Sequence, residues 1–179
     1  MKNIIFVPIK DYFISRRKVF IKFLIPMLIA LVALLLAIFF NIGSSEKVLL
    51  TFSGFIDTQI NIVAILISFS VAIITILVSA DNKNIQRLKD TESNKKQYKP
   101  VDGKQLSLFQ ILLSNIAYNV IVEIIYLVGL IAFSLMQNLL PIVMLKYITA
   151  ICIFIILHIL FVLLESVAQM YLTFWANKK

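Results

Sequence analysis

One stretch decides most of what this chain can become: FLIPMLIALVALLLAIFF, residues 23–40, is apolar throughout and carries no charge. A helix needs about 20 such residues to cross the ~30 Å hydrocarbon core of a bilayer. Three further stretches are nearly as clean. Thr58 to Ala80 has no charge, Gln105 to Val122 has none, and after Glu123 none appears until Lys146. From Tyr147 to Asn177 only His158 and Glu165 interrupt. Four spans are predicted, at 23–42, 58–80, 107–135 and 145–173. Spanning strands would show as alternating segments of about 10 residues, and none occurs. The expected fold is all-α, a polytopic bundle of four transmembrane helices in one membrane domain, 1–179. Composition agrees: 61% apolar and 15% charged residues fit neither a soluble globule, about half apolar and a quarter charged, nor a disordered chain.

Lysine and arginine set the expected orientation. Six stand in the tail 1–22, seven in the loop 81–105 and two at the C-terminus, against Lys47 and Lys146 in the other two connections. Basic flanks stay cytoplasmic, so both termini and loop 81–105 are expected inside, in a bacterial-type inner membrane. The first run is longer than a signal peptide's ~7–15-residue apolar region and ends in Phe39-Phe40-Asn41 where a small-residue cleavage site would stand. It reads as a retained anchor.

Local signals place the boundaries. Asp57-Thr58 suits a cap on span two, Ser107 with Gln110 has the spacing of a capping box at the start of span three, and Pro141 suits the entry to span four. Tyr171, Phe174 and Trp175 beside Lys178 and Lys179 form an amphipathic end for the inner headgroup level. The tail over 9–22 fits an interfacial amphipathic helix, with Ile9, Tyr12, Phe13, Phe20 and Ile21 toward the acyl chains and Lys10, Arg16, Arg17 and Lys18 toward the headgroups; a positive flank that only sets topology is the alternative. Segment 43–57, with Val48, Leu49, Leu50, Phe52 and Phe55, is expected to lie in the outer interface, with a re-entrant segment as the alternative. In loop 81–105 the residues from Asn82 to Leu88 can continue span two, and Asn94, Pro100 and Gly103 then favour irregular chain.

Polar side chains inside spans are costly and mark candidate sites. Asn115, Asn119 and Glu123 recur every four residues on one face of span three, with Tyr118 and Tyr126 nearby. His158, Glu165 and Gln169 share one face of span four. Antiparallel packing of these neighbours predicts Glu123 opposite His158, and Glu165, about 10 Å farther inward, opposite Asn115 or Asn119. Span two offers a milder stripe of Asn61, Ser68 and Thr75, with Ser79 close by. Three readings stand for the network. It can be interhelical hydrogen bonding that holds spans poor in glycine. It can line a water-filled path in a homo-oligomer, Glu123 and Glu165 forming acidic rings. Or it can carry protons in a small transporter; the four-span multidrug exporters are shorter and lack so strong a charge bias.

Catalysis is not expected. The single His has no Ser–Asp partners at credible spacing, and no phosphate-binding glycine loop or HExxH motif is present. One Cys and one His cannot close a zinc site, so neither metal nor cofactor is expected. Cys152 sits among Ile and Phe in mid-span, where an inert thiol is expected.

The net charge of +8 points to anionic lipid, worth about 1 kcal/mol per basic residue near the surface, or to an acidic cytosolic partner contacting Arg16, Arg17, Lys95, Lys96 and Lys99. Those lysines with Tyr98 also look like a phosphate-contacting strip, but basic loops of this kind flank many membrane helices and nucleic acid is the weaker reading. The inside placement of both termini, the basic loop Asp81–Gln105 and the near absence of outer domains together resemble the small four-pass membrane subunits of bacterial phage-defence systems, such as the membrane component of Kiwa-type pairs. The resemblance covers the chain as architecture and transfers no site. It implies a homo-oligomer that perturbs the membrane as a channel-like effector, or senses and anchors for a cytosolic partner. A small proton- or cation-coupled transporter is the alternative.

Overall fold

The computed structural model of this protein describes residues 6–39, 45–95, 97–101 and 103–175. Its helices are α1 (Val7–Ser15), α2 (Val19–Phe39), α3 (Ser45–Ser79), α4 (Lys83–Asp90), α5 (Leu108–Met136) and α6 (Ile142–Trp175). Among the described residues there is no strand, and α2, α3, α5 and α6 are each long and apolar enough to cross a membrane. The architecture is that of an all-helical, multi-pass membrane protein. α5 is its hub and packs against α1, α3, α4 and α6, whereas α2 packs on α6 at the rim.

Local sequence accounts for most helix ends. The Ser107 hydroxyl accepts the Gln110 amide at 3.2 Å and the Gln110 side chain accepts the Ser107 amide at 2.9 Å, the expected capping box of α5. Pro141 precedes α6 and its carbonyl accepts the Met144 amide at 2.8 Å. Asn82 caps α4, accepting from the Asn84 and Ile85 amides at 3.0 Å. That cap separates α4 from α3, so residues 82–88 do not prolong the span as expected. Instead Ile85 and Leu88 turn back beneath α5 and bury against Leu77, Leu112 and Ile116.

Two segments differ from expectation. Residues 45–57 are helical and continuous with the rest of α3, so the segment is neither a loop nor re-entrant chain. Phe52 and Ile56 lie one turn apart and both enter the core with Leu130 and Leu145. The apolar character of this segment is thus the 3.6-residue periodicity of a packed helix. Thr58 caps nothing; its hydroxyl donates to the Gly54 carbonyl at 2.8 Å within α3. The tail does not form one interfacial helix over 9–22 either. α1 ends at Ser15, Arg16 is extended, and α2 begins at Val19. Tyr12, expected among the lipids, is fully buried, its ring stacked on Tyr118 with centroids 3.9 Å apart, while Phe13, Phe20 and Ile21 are exposed.

The break at Arg16–Lys18 lets the chain pair with the middle loop. The Arg17 amide donates to the Gln97 carbonyl at 3.0 Å and the Lys99 amide to the Ser15 carbonyl at 2.7 Å. Within the loop, Ser93 donates to Leu106 and Leu108 to Thr91, both at 2.9 Å. Val101 and Lys104 exchange two bonds of 3.0 Å around Gly103, whose φ of 77° favours glycine. The tail, the middle loop and the later part of α6 therefore share one end of the bundle, the basic end. Lys96 and residues 176–179, with the side chains of Phe174 and Trp175, lie outside the described residues.

Candidate functional site

Arg16 organises the basic end. It is 2% exposed, and its guanidinium donates to the Glu165 carboxylate at 2.9 and 3.2 Å and to the Asn115 carboxamide oxygen at 2.7 Å. Glu165 also pairs with Lys22 and accepts from Gln169 at 3.2 Å and from the Tyr98 hydroxyl at 3.3 Å. Gln169 donates to Tyr98 as well. The guanidinium lies over the Tyr12 ring, 4.2 Å from its centroid, a cation–π contact strengthened by exclusion of water. The predicted meeting of Glu165 with Asn115 is thus real, but Arg16 bridges it; Asn119 takes no part. Arg16 itself was expected to face a partner in solution. It is buried because a half-buried carboxylate in the bundle needs a counter-ion.

Burial pushes the Tyr98 phenol up to about 12 from the ordinary 10.0, with Glu165 adding to the rise and Arg16 opposing it. A detached loop would ionise at the ordinary value, so its docking is at full strength below pH 10.0 and weakens as pH rises toward 12. A nitroxide at position 99 should gain mobility over that window in the wild type and not in Tyr98→Phe. Equal profiles would place the docking elsewhere.

The second cluster lies deeper. Glu123 is fully buried and accepts from Ser70 of α3 at 3.1 Å and from Asn119 at 2.7 Å. His158 bonds the Tyr118 hydroxyl at 2.9 Å and stacks on Phe23 of α2 with centroids 4.3 Å apart. The predicted pairing of Glu123 with His158 is therefore not formed. At 100° per residue, Tyr118 and Glu123 point about 140° apart on α5, so one serves the α6 side and the other the α3 side. Above them, the Tyr126 hydroxyl lies 3.1 Å from the Cys152 carbonyl and 3.4 Å from the Gln59 carboxamide oxygen. Glu123 and Asn119, both buried, face no surface of the chain, and so cannot ring a shared path.

Span two surprises most. Its core face carries Phe52, Ile56, Gln59, Val63 and Ser70, all buried. Ser70 was missed because the sequence shows a stripe's spacing but not which stripe turns inward. The outward face holds Gly54, Asp57, Asn61, Ala64, Ser68, Ala72, Thr75 and Ser79, all exposed and all within about 80° of arc. The hydroxyls of Ser68, Thr75 and Ser79 return to carbonyls four residues back, at 3.0, 3.0 and 2.6 Å. Asp57 and Asn61 flank Gln59, which Tyr126 sets level with Cys152. Cys152 lies between His158, level with Phe23, and Leu145, which shares a cavity with Ala37. Asp57 and Asn61 are thus level with the middle of α2, itself 11% buried over its most apolar window and so a lipid-facing span.

Of the expected contact residues, Arg17 is exposed and donates to the Tyr98 carbonyl at 3.4 Å. Lys95 and Lys99 are exposed, Lys95 lying 3.7 Å from Glu92. Among the described residues no cluster of His, Cys, Asp and Glu is placed to hold a metal ion. No protein-family model, curated protein or solved structure matches the chain.

Proposed function

We propose that the chain is a non-enzymatic, homo-oligomeric inner-membrane subunit that acts as a channel-like effector, with the outward stripe of α3 facing the oligomer axis. One observation carries this reading. A carboxylate and a carboxamide stand exposed on a spanning helix, level with the middle of the most lipid-exposed span. Facing hydrocarbon, an Asp near the centre of a span costs at least about 2.5 kcal/mol on insertion scales. Facing copies of itself, the small residues of the stripe permit close approach, and rings of Asp57 and Asn61 give a wet, cation-favouring path. The acidic ring of this reading is Asp57; Glu123 and Glu165 serve the fold. A proton- or cation-coupled transporter built on those two glutamates draws less support, since both are held in packed contacts.

Purified protein in planar bilayers is expected to pass cations, with Asp57→Asn reducing selectivity over anions several-fold, Asn61→Leu closing the path, and Glu123→Gln leaving selectivity unchanged. No conductance from an oligomer of verified mass would overturn the reading.

A second reading, the anchor or sensor for an acidic cytosolic partner, is favoured by the built loop of the basic end, which presents Arg17, Lys18, Lys83, Arg87, Lys95 and Lys99 to solvent. The excess of basic residues there supports its cytoplasmic placement, and this reading takes the partner to be of the phage-defence class that the layout resembles. It requires that charge reversal of Lys95 and Lys99 release the partner without altering the bundle.

A further inference from the structure

Two cavities meet where α2 begins. One, about 460 Å³, opens at the basic end among Arg16, Lys18, Lys22, Gln97, Tyr98 and Glu165. The other, about 220 Å³, runs between α2 and α6 among Ile25, His158, Phe161 and Val162. Ile21, Lys22 and Glu165 line both. A polar, basic compartment thus passes directly into an apolar groove between spans.

The charges of the first cavity do not cancel. Arg16, Lys18 and Lys22 face one carboxylate, which Arg16 and Lys22 already occupy. Lys18 makes no ion pair among the described residues and is exposed. The two positive charges left uncompensated beside this cavity call for an anion with several acceptor oxygens, and phosphate has that chemistry. The groove calls for an alkyl chain. It begins beside Ile21 and Ile25, both exposed on the lipid-facing side of α2, and runs from the basic end toward His158.

We propose that the paired cavities form a binding site for one anionic phospholipid, its phosphate held between Lys18, Lys22 and Arg16 and one acyl chain laid along the α2–α6 groove. Basic pockets between spans at a membrane face take such headgroups. Free phosphate would use the first cavity and leave the groove unexplained. The site rests on α2 and α6 spanning the membrane and is independent of the path along α3.

The test uses the full chain in detergent, titrated with phosphatidylglycerol, with phosphatidylcholine of the same chains, and with inorganic phosphate, bound lipid being counted by native mass spectrometry. Phosphatidylglycerol is expected to be retained at one per chain, at least about tenfold more tightly than phosphatidylcholine. Lys18→Gln should weaken it about fivefold and leave phosphatidylcholine unchanged. Ile25→Trp, filling the groove, should weaken both lipids. Equal retention of the two lipids overturns the proposal, as does indifference to Lys18→Gln. Displacement of phosphatidylglycerol by inorganic phosphate at equal concentration would also overturn it, assigning the site to the soluble anion. Lys18 and Ile25 are exposed, and should either variant lose helicity, the wild-type ratio of the two lipids decides alone.

Discussion

Glu165→Leu is expected to free the N-terminal segment from the bundle at a cost of about 3–5 kcal/mol, the range for removing one partner of a buried ion pair. The carboxylate is the hub of the basic end, holding Arg16, Lys22, Tyr98 and Gln169. Without it, the buried Arg16 guanidinium would keep only Asn115 and the face of the Tyr12 ring, and no counter-charge. Detachment relieves that charge more cheaply than global unfolding, because Arg16–Lys18 is a break between helices rather than part of one. Trypsin should then cut at Arg16, Arg17 and Lys18 well before the spans lose helicity. The double variant Arg16→Met with Glu165→Met should recover most of the loss, since a buried pair replaced whole by apolar groups of like volume is near neutral. Equal cleavage of Glu165→Leu and wild type would show that the latch does not hold the tail.

Tyr12→Ala should cost about 3–5 kcal/mol, as for other buried aromatic rings cut back to a methyl. The ring is fully buried, stacked on Tyr118 at 3.9 Å and roofed by the Arg16 guanidinium at 4.2 Å. Tyr12→Phe should change stability far less than Tyr12→Ala, because it keeps the buried ring and its stack on Tyr118. Thermal unfolding of the three proteins in one detergent separates these outcomes. A large loss in Tyr12→Phe would mean that the hydroxyl, rather than ring stacking, secures α1. Tyr12 and Arg16 share a contact, so their losses should not add.

The resolution of the sequence reading differed from element to element. The spans at 107–135 and 145–173 fall close to α5 and α6, and the capping box and Pro141 lie where they were expected. These features are local: a span is charge-free over a length that bilayer thickness dictates, and a cap is made within one turn. The helical state of 45–57 was not legible, because an apolar loop and a buried helix face both call for apolar residues, and only the partners Leu130 and Leu145 reveal the helix.

Spacing also put Asn115, Asn119 and Glu123 on one face of α5, and Asn61, Ser68 and Thr75 on one face of α3. Periodicity fixes angles around a helix axis but not the rotation of that helix against its neighbours. Tertiary packing alone decided that Glu123 meets Ser70 and that His158 meets Tyr118 and Phe23. It likewise turned Ser70 inward and left Asp57 and Asn61 outward. Charge counting treated Arg16 as one more flanking cation; in the fold it is the buried counter-ion of Glu165, 149 positions away, because a carboxylate in a low-dielectric setting draws the cation that can reach it. What the sequence determined by itself is a helical chain built for a membrane, since hydrocarbon admits little else. Which polar groups lock the bundle and which face outward was decided by the packing of its helices.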